Sequence, residues 1–206
     1  LLQMKKWIAA IGLMPLLSPA VALSAEGDPE AGAQKAAVCG ACHGLNGHQN
    51  INPEWPNLAG QHAGYVESQL QLFKQGVRNN PVMMPNALIL GDQDMADLAA
   101  YFSRQPVQGL EADPSLYAQG ERLYRAGDAS RGLPACIACH GPQGKGNGPA
   151  QYPATRAQHS LYSYNQLKAY ATGERTAVSN DIMQTVAAKL SDEEMRAVAS
   201  YMQGLR

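Results

Sequence analysis

Between residues 62 and 75, apolar side chains fall at Tyr65, Leu70, Leu72 and Phe73, a roughly helical period. Residues 158–172 repeat that pattern. Asp28-Pro29 opens another helix over 28–42, with a capping residue followed by one suited to the first helical position. Residues 114–139 play the same part later in the chain, with a glycine-rich interruption at 126–132. Two further helices start at clear caps, Gly91-Asp92-Gln93-Asp94 and Ser191-Asp192-Glu193-Glu194. Ser191 with Glu194 three positions on is a capping-box pattern. Alternation typical of strands is missing, so the pattern predicts an all-α protein.

The helices come in two sets because the chain repeats. An offset of 97 pairs Trp55-Pro56 with Tyr152-Pro153, Gln61-His62 with Gln158-His159, and Tyr65 with Tyr162. It goes on through Gln69-Leu70 and Gln166-Leu167, Gly76 and Gly173, and Arg78 and Arg175. The offset then becomes 100, pairing Asp92 with Asp192, Met95 with Met195 and Tyr101 with Tyr201. Three residues are therefore added in the second copy between Arg175 and Met183. The expected domains span 26–106 and 107–206, with a short linker at 105–113 that holds Pro106 and Gly109. Residues 1–25 read as a signal peptide: Lys5 and Lys6, the apolar run 7–17, the break Ser18-Pro19-Ala20, and small residues to Ser24-Ala25. A retained membrane anchor is the alternative, although the run is short for a span.

Composition narrows the function. The chain has 206 residues, of which 16% are charged and 6% aromatic, so each half is near the size at which a polypeptide core alone is marginal. A formal charge of −1 gives no argument for a nucleic-acid binder. The first copy holds eight acidic against four basic residues and the second nine against ten. Such asymmetry is either ordinary surface variation or, since charge steers encounter, a sign that the halves face different partners.

The chemistry lies in Cys39-Gly40-Ala41-Cys42-His43, which recurs as Cys136-Ile137-Ala138-Cys139-His140 and uses all four cysteines. Two thiols three positions apart with a histidine next in line form the attachment signature of a c-type haem. One helical turn presents both sulfurs to the porphyrin vinyl groups, and the histidine falls beneath the iron. Two covalently bound haem c groups are expected, attached by Cys39, Cys42, Cys136 and Cys139. Structural zinc fails on ligand count, since each motif offers three close ligands and such sites take four.

His43 and His140 each fill one axial position. A methionine thioether is the leading candidate for the other in a carrier, because it stabilises ferrous iron. Met183 lies in a loop nine residues before Asp192, while Met195 and Met202 belong to helix core. In the first copy Met83 and Met84 are adjacent; Met83 is favoured, being nine residues before Asp92, and Met84 is the alternative. His62 and His159 are expected at a surface or domain interface, with axial ligation the minor alternative. His48 reads as a solvated loop residue. The run 144–148 reads as a flexible loop near the second haem, and Trp55-Pro56 and Tyr152-Pro153 as haem-wall or core residues.

These motifs and their flanks resemble the cytochrome c4 family. The resemblance rests on 38–44, Trp55-Pro56-Asn57-Leu58-Ala59-Gly60-Gln61, 92–102, 134–140, 186–191 and the closing Tyr201-Met202-Gln203-Gly204-Leu205. It implies two tandem class I cytochrome c domains related by pseudo-twofold symmetry, with His/Met ligation and haem edges meeting near the domain interface. It also implies a periplasmic carrier, soluble or peripherally membrane-associated, and not an enzyme. The implied acceptor is a terminal oxidase, often of cbb3 type, and the implied donor is a bc1 complex or a small periplasmic carrier. The rival readings are an electron-entry subunit of a larger redox complex and a dihaem peroxidase. One departure stands out: Arg156 occupies a position where the family has a small residue.

Overall fold

The computed structural model describes residues 26–48, 52–176 and 180–206. The signal-peptide reading of 1–25 lies outside the described residues, as do three residues of the segment between Arg175 and Met183.

The first domain is built from α1 (Pro29–His43), α2 (Ala63–Lys74), α3 (Met83–Leu88) and α4 (Asp92–Ser103). The second holds α5 (Tyr117–Ala126), α6 (Ile137–His140), α7 (Ser160–Thr172), α8 (Ile182–Ala187) and α9 (Asp192–Gly204). In each domain the first helix packs on the last, and the middle helix packs on both the last helix and the short one. Among the described residues no helix is long and apolar enough to cross a membrane.

Capping explains the helix starts. Asp28 accepts from the main-chain N–H of Glu30 at 2.8 Å, and Pro29 takes the first helical position. Ser191 and Glu194 close their capping box with bonds of 2.9 and 3.2 Å. The crossing of α1 over α4 requires Gly32, since a Cβ there would lie 2.1 Å from the Asp97 carbonyl oxygen. Gly120 does the same for α5 over α9, where a Cβ would meet the Ala197 oxygen at 2.3 Å. Lys35 on α1 then bridges Asp94 and Asp97 on α4 at 2.7 and 2.6 Å.

Each domain has its own core. Ala36, Leu98 and Phe102 centre the first; Tyr124, Leu167, Met195, Val198, Tyr201 and Met202 centre the second. Met95 and Met195 are buried in their helices, as their positions predict.

Three expectations are corrected. Met183 does not sit in a loop: it is the second residue of α8, just as Met83 opens α3. Six residues are too few to print a period. The Asn80 side chain caps Val82 and Met83 at 3.0 and 2.9 Å, and Asn180 caps Ile182 at 3.1 Å. His48 is not solvated but buried, 8% exposed. It borders a cavity lined by residues of both domains, a position that no local pattern announces. The run 144–148 is a hydrogen-bonded turn, with Gly146 N–H on the His140 carbonyl at 2.8 Å and Asn147 bridged to Tyr152.

Candidate haem sites

The last turn of α1 carries Cys39, Cys42 and His43. In the second domain the same motif sits on Cys136 and the single turn of α6, because the glycine-rich segment splits the long helix before it. None of the four cysteines is paired in a disulfide, and all are partly buried. Burial pushes the Cys39 thiol up and the Cys136 thiol up to about 11.

Each motif histidine is held by a main-chain carbonyl. His43 Nδ1 lies 2.8 Å from the Pro56 oxygen, and His140 Nδ1 lies 2.9 Å from the Pro153 oxygen. A carbonyl only accepts, so Nδ1 must carry the proton, and the lone pair resides on Nε2. A metal-ligating histidine is oriented by the same kind of second bond. Burial pushes both imidazoles below their ordinary value, against the opposing pull of the carbonyls. A neutral ring is the form that can ligate iron. Pro56 and Pro153 thus join the site through their backbone. The constant spacing of 13 residues from each histidine was the available signal.

Met83 and Met183 are both half-buried at equivalent places on Asn-capped helices. Met183, Cys136 and Ile137 pack against the same second-domain core. Cys39 packs against the first-domain core with Leu58, Leu70, Leu90 and Tyr101. The Met84 methyl group turns back toward Gly76, in van der Waals range of where a Cβ would stand there. Beside Met183, the buried Gln184 Oε1 has no hydrogen-bond partner. Buried polar atoms are normally satisfied, and this orphan beside Met183 fits a prosthetic group in that space.

The two sites are joined by a symmetric seam. Gln61 bonds both main-chain groups of Ala154, and Gln158 bonds both main-chain groups of Asn57. Arg78 reaches Gln69 at 2.8 Å, Tyr162 at 3.0 Å and Gln166 at 2.9 Å. Arg175 mirrors it, reaching Gln166 at 2.6 Å, Tyr65 at 2.7 Å and Gln69 at 3.0 Å. Every pair is related by the offset of 97, as an isologous contact between two copies of one surface requires. His62 also lies at this seam, with Nε2 2.8 Å from the Lys145 oxygen.

A family model described as cytochrome c matches residues 29–105 and again 117–206. The cytochrome c4 of Thiocapsa roseopersicina is 47% identical over 181 residues, covering 87% of this chain and 93% of that protein. The cytochrome c4 of Pseudomonas aeruginosa is 46% identical over 182 residues, covering 88% and 90%. Among solved structures, reduced recombinant cytochrome c4 from Pseudomonas stutzeri superposes with a TM-score of 0.84 at 44% identity, covering 87% of this chain and all of that one.

Proposed function

The chain belongs to the cytochrome c4 family of dihaem electron carriers, and we propose that it works in the periplasm, passing electrons to a terminal oxidase of cbb3 type. Its donor in this reading is a bc1 complex or a small periplasmic carrier. The domains span 26–106 and 107–206. One-electron storage at two irons is the chemistry that the two covalent haem c groups supply.

The chain's own residues bind and tune. Cys39 and Cys42 attach the first haem, and Cys136 and Cys139 the second. His43 and Met83 ligate the first iron; His140 and Met183 ligate the second. The observation that carries this reading is the duplicated bond from histidine Nδ1 to a proline carbonyl, which fixes each ring with Nε2 free to ligate. The Asn80 and Asn180 side-chain oxygens accept from N–H groups in the first turn of the helices that carry Met83 and Met183. With His43, Met83, His140 and Met183 holding the two irons, no iron position would be left for a substrate, and the chain would act as a carrier rather than an enzyme. The paired glutamines and arginines hold the domains in one relation, so an electron that enters at one domain has a constant path to the other.

The test is reductive titration of the holoprotein followed by mixing with a purified cbb3-type oxidase under oxygen. Uptake of two electrons per chain and rapid reoxidation through the oxidase are expected. Two-electron uptake with no oxidase-dependent reoxidation would sink the acceptor and leave the carrier standing.

A further inference from the structure

We propose, on the two-haem reading, that Arg78 and Arg175 form one shared cationic centre that raises the reduction potential of both haems together. The two arginines are equivalents at the offset of 97, and their guanidinium groups meet at the domain seam around the same two acceptors. Gln69 Oε1 accepts from Arg78 at 2.8 Å and from Arg175 at 3.0 Å. Gln166 Oε1 accepts from Arg78 at 2.9 Å and from Arg175 at 2.6 Å. Each arginine also crosses to a tyrosine of the other domain, Arg78 to Tyr162 and Arg175 to Tyr65. Each guanidinium lies over an aromatic ring of its own domain, Arg78 at 4.5 Å from the Phe73 centroid and Arg175 at 4.7 Å from that of Tyr170.

No carboxylate answers these charges. Among the described residues neither arginine takes part in an ion pair. Their acceptors are amide oxygens and tyrosine hydroxyls, and an arginine does not give up its proton inside a protein. Two positive charges therefore stand side by side. Arg175 is only 6% exposed as a whole residue, and Arg78 is partly buried. Solvent screens such charges far less than exposed ones. Their field is felt at Tyr162: burial alone would raise its hydroxyl, and Arg78 and Arg175 overcome burial and hold it below its ordinary value. Adhesion does not call for this charge, since the neutral amides of Gln61 and Gln158 tie the same seam. Like charges set together weaken a seam rather than close it.

Position carries the field to both haem sites. Tyr65 and Gln69 lie on α2, which packs on α3, the helix that opens with Met83. Tyr162 and Gln166 lie on α7, which packs on α8, the helix that holds Met183. Each arginine thus bonds to both of the helices that back the methionine helices. Tyr170, beneath Arg175, packs against the same second-domain core as Cys136 and Met183. In the first domain the Met84 methyl group reaches Gly76, two residues before Arg78. Reduction adds an electron to a haem, and a fixed buried cation stabilises that electron and raises the potential. Because the pair straddles the seam symmetrically, each charge acts on both haems. The sign holds even where a haem carboxylate pairs with the arginines, since losing the cation then leaves that carboxylate unpaired.

The test is redox titration of the holoprotein, with each haem followed by its own haem-methyl NMR signals. Arg175→Gln and Arg78→Gln each remove one charge, and Arg175→Lys keeps it. Gln61→Leu weakens the seam without changing charge. Potentials are compared among variants that exclude carbon monoxide, so that a lost axial ligand does not enter. Both haem potentials should fall in Arg175→Gln, both should fall in Arg78→Gln, and the double variant should fall further. Arg175→Lys should stay nearer the native values, and Gln61→Leu should leave both in place. A fall confined to the haem of the substituted domain, or no fall at either haem, overturns the shared centre. An equal fall in Gln61→Leu overturns it too, since opening of the seam would then be the cause. Should the buried Arg175→Gln fail to take up haem, Arg78→Gln at the less buried position decides the question. Uptake of two electrons by the native protein keeps the two-haem reading in place whichever way the variants fall.

Discussion

Gln61 grips Ala154 across the domain seam with both ends of its amide: Nε2 donates to the Ala154 carbonyl and Oε1 accepts from the Ala154 N–H, each at 2.9 Å. Gln158 does the same to Asn57 at 2.9 and 2.8 Å. The two clamps are one interaction repeated at an offset of 97, and they tie each domain to the loop that follows the other domain's motif histidine.

Gln61→Leu removes one clamp and leaves both main-chain groups of Ala154 without their partner. A buried group left unsatisfied costs about 1–3 kcal/mol, so the loss should be of that order. Chemical denaturation should show a lower midpoint, with the two domains unfolding less cooperatively. An unchanged midpoint would mean that the seam is held elsewhere.

Gly32→Ala places a methyl group into the Asp97 carbonyl, where helix backbones leave no room to yield. Overpacking of this kind costs roughly 1–3 kcal/mol or more. The damage should fall on the first domain, and Gly120→Ala should do the same to the second. Following the two haem environments separately during unfolding checks this. Loss confined to the wrong domain would contradict the packing described.

Much of this arrangement can be read in the chain beforehand, and the reasons for the rest are physical. The haem motifs, the repeat, the caps at Asp28 and Ser191, and the equivalence of Met83 with Met183 all follow from local spacing. The clamps are different. Gln61 and Gln158 stand out as repeated residues, but which backbone they meet depends on how two finished domains dock. The buried His48 lies beside that same seam. The carbonyls of Pro56 and Pro153 are marked only by their constant spacing of 13 residues from each histidine, because any residue type offers one. Arg156 is visible as a misfit, and only the docked domains place it on the same cavity as the buried His48.

The Lys35–Asp97 pair predicts an acid response. Asp97 is 2% exposed, and Lys35, the Asp28 N–H and the Gln93 amide hold its carboxyl at about 2, below the ordinary 3.8. A depressed carboxylate contributes stability that is fully present above its unfolded value and is lost as pH falls through its folded one. The first domain should therefore weaken between about pH 4 and pH 2. Asp97→Asn should be less stable at neutral pH and show a flatter profile across that window. A variant profile parallel to wild type would show that the pair does not govern the acid response.

The claim on which everything else rests is that the protein itself closes both irons, and the visible spectrum of the dithionite-reduced holoprotein with and without carbon monoxide tests it most directly. Carbon monoxide should leave the native spectrum unchanged. It should bind half of the haem in Met83→Ala and half in Met183→Ala, and none in Met84→Ala. Binding to native protein would contradict the account. Binding in Met84→Ala with none in Met83→Ala would move the first ligand by one residue.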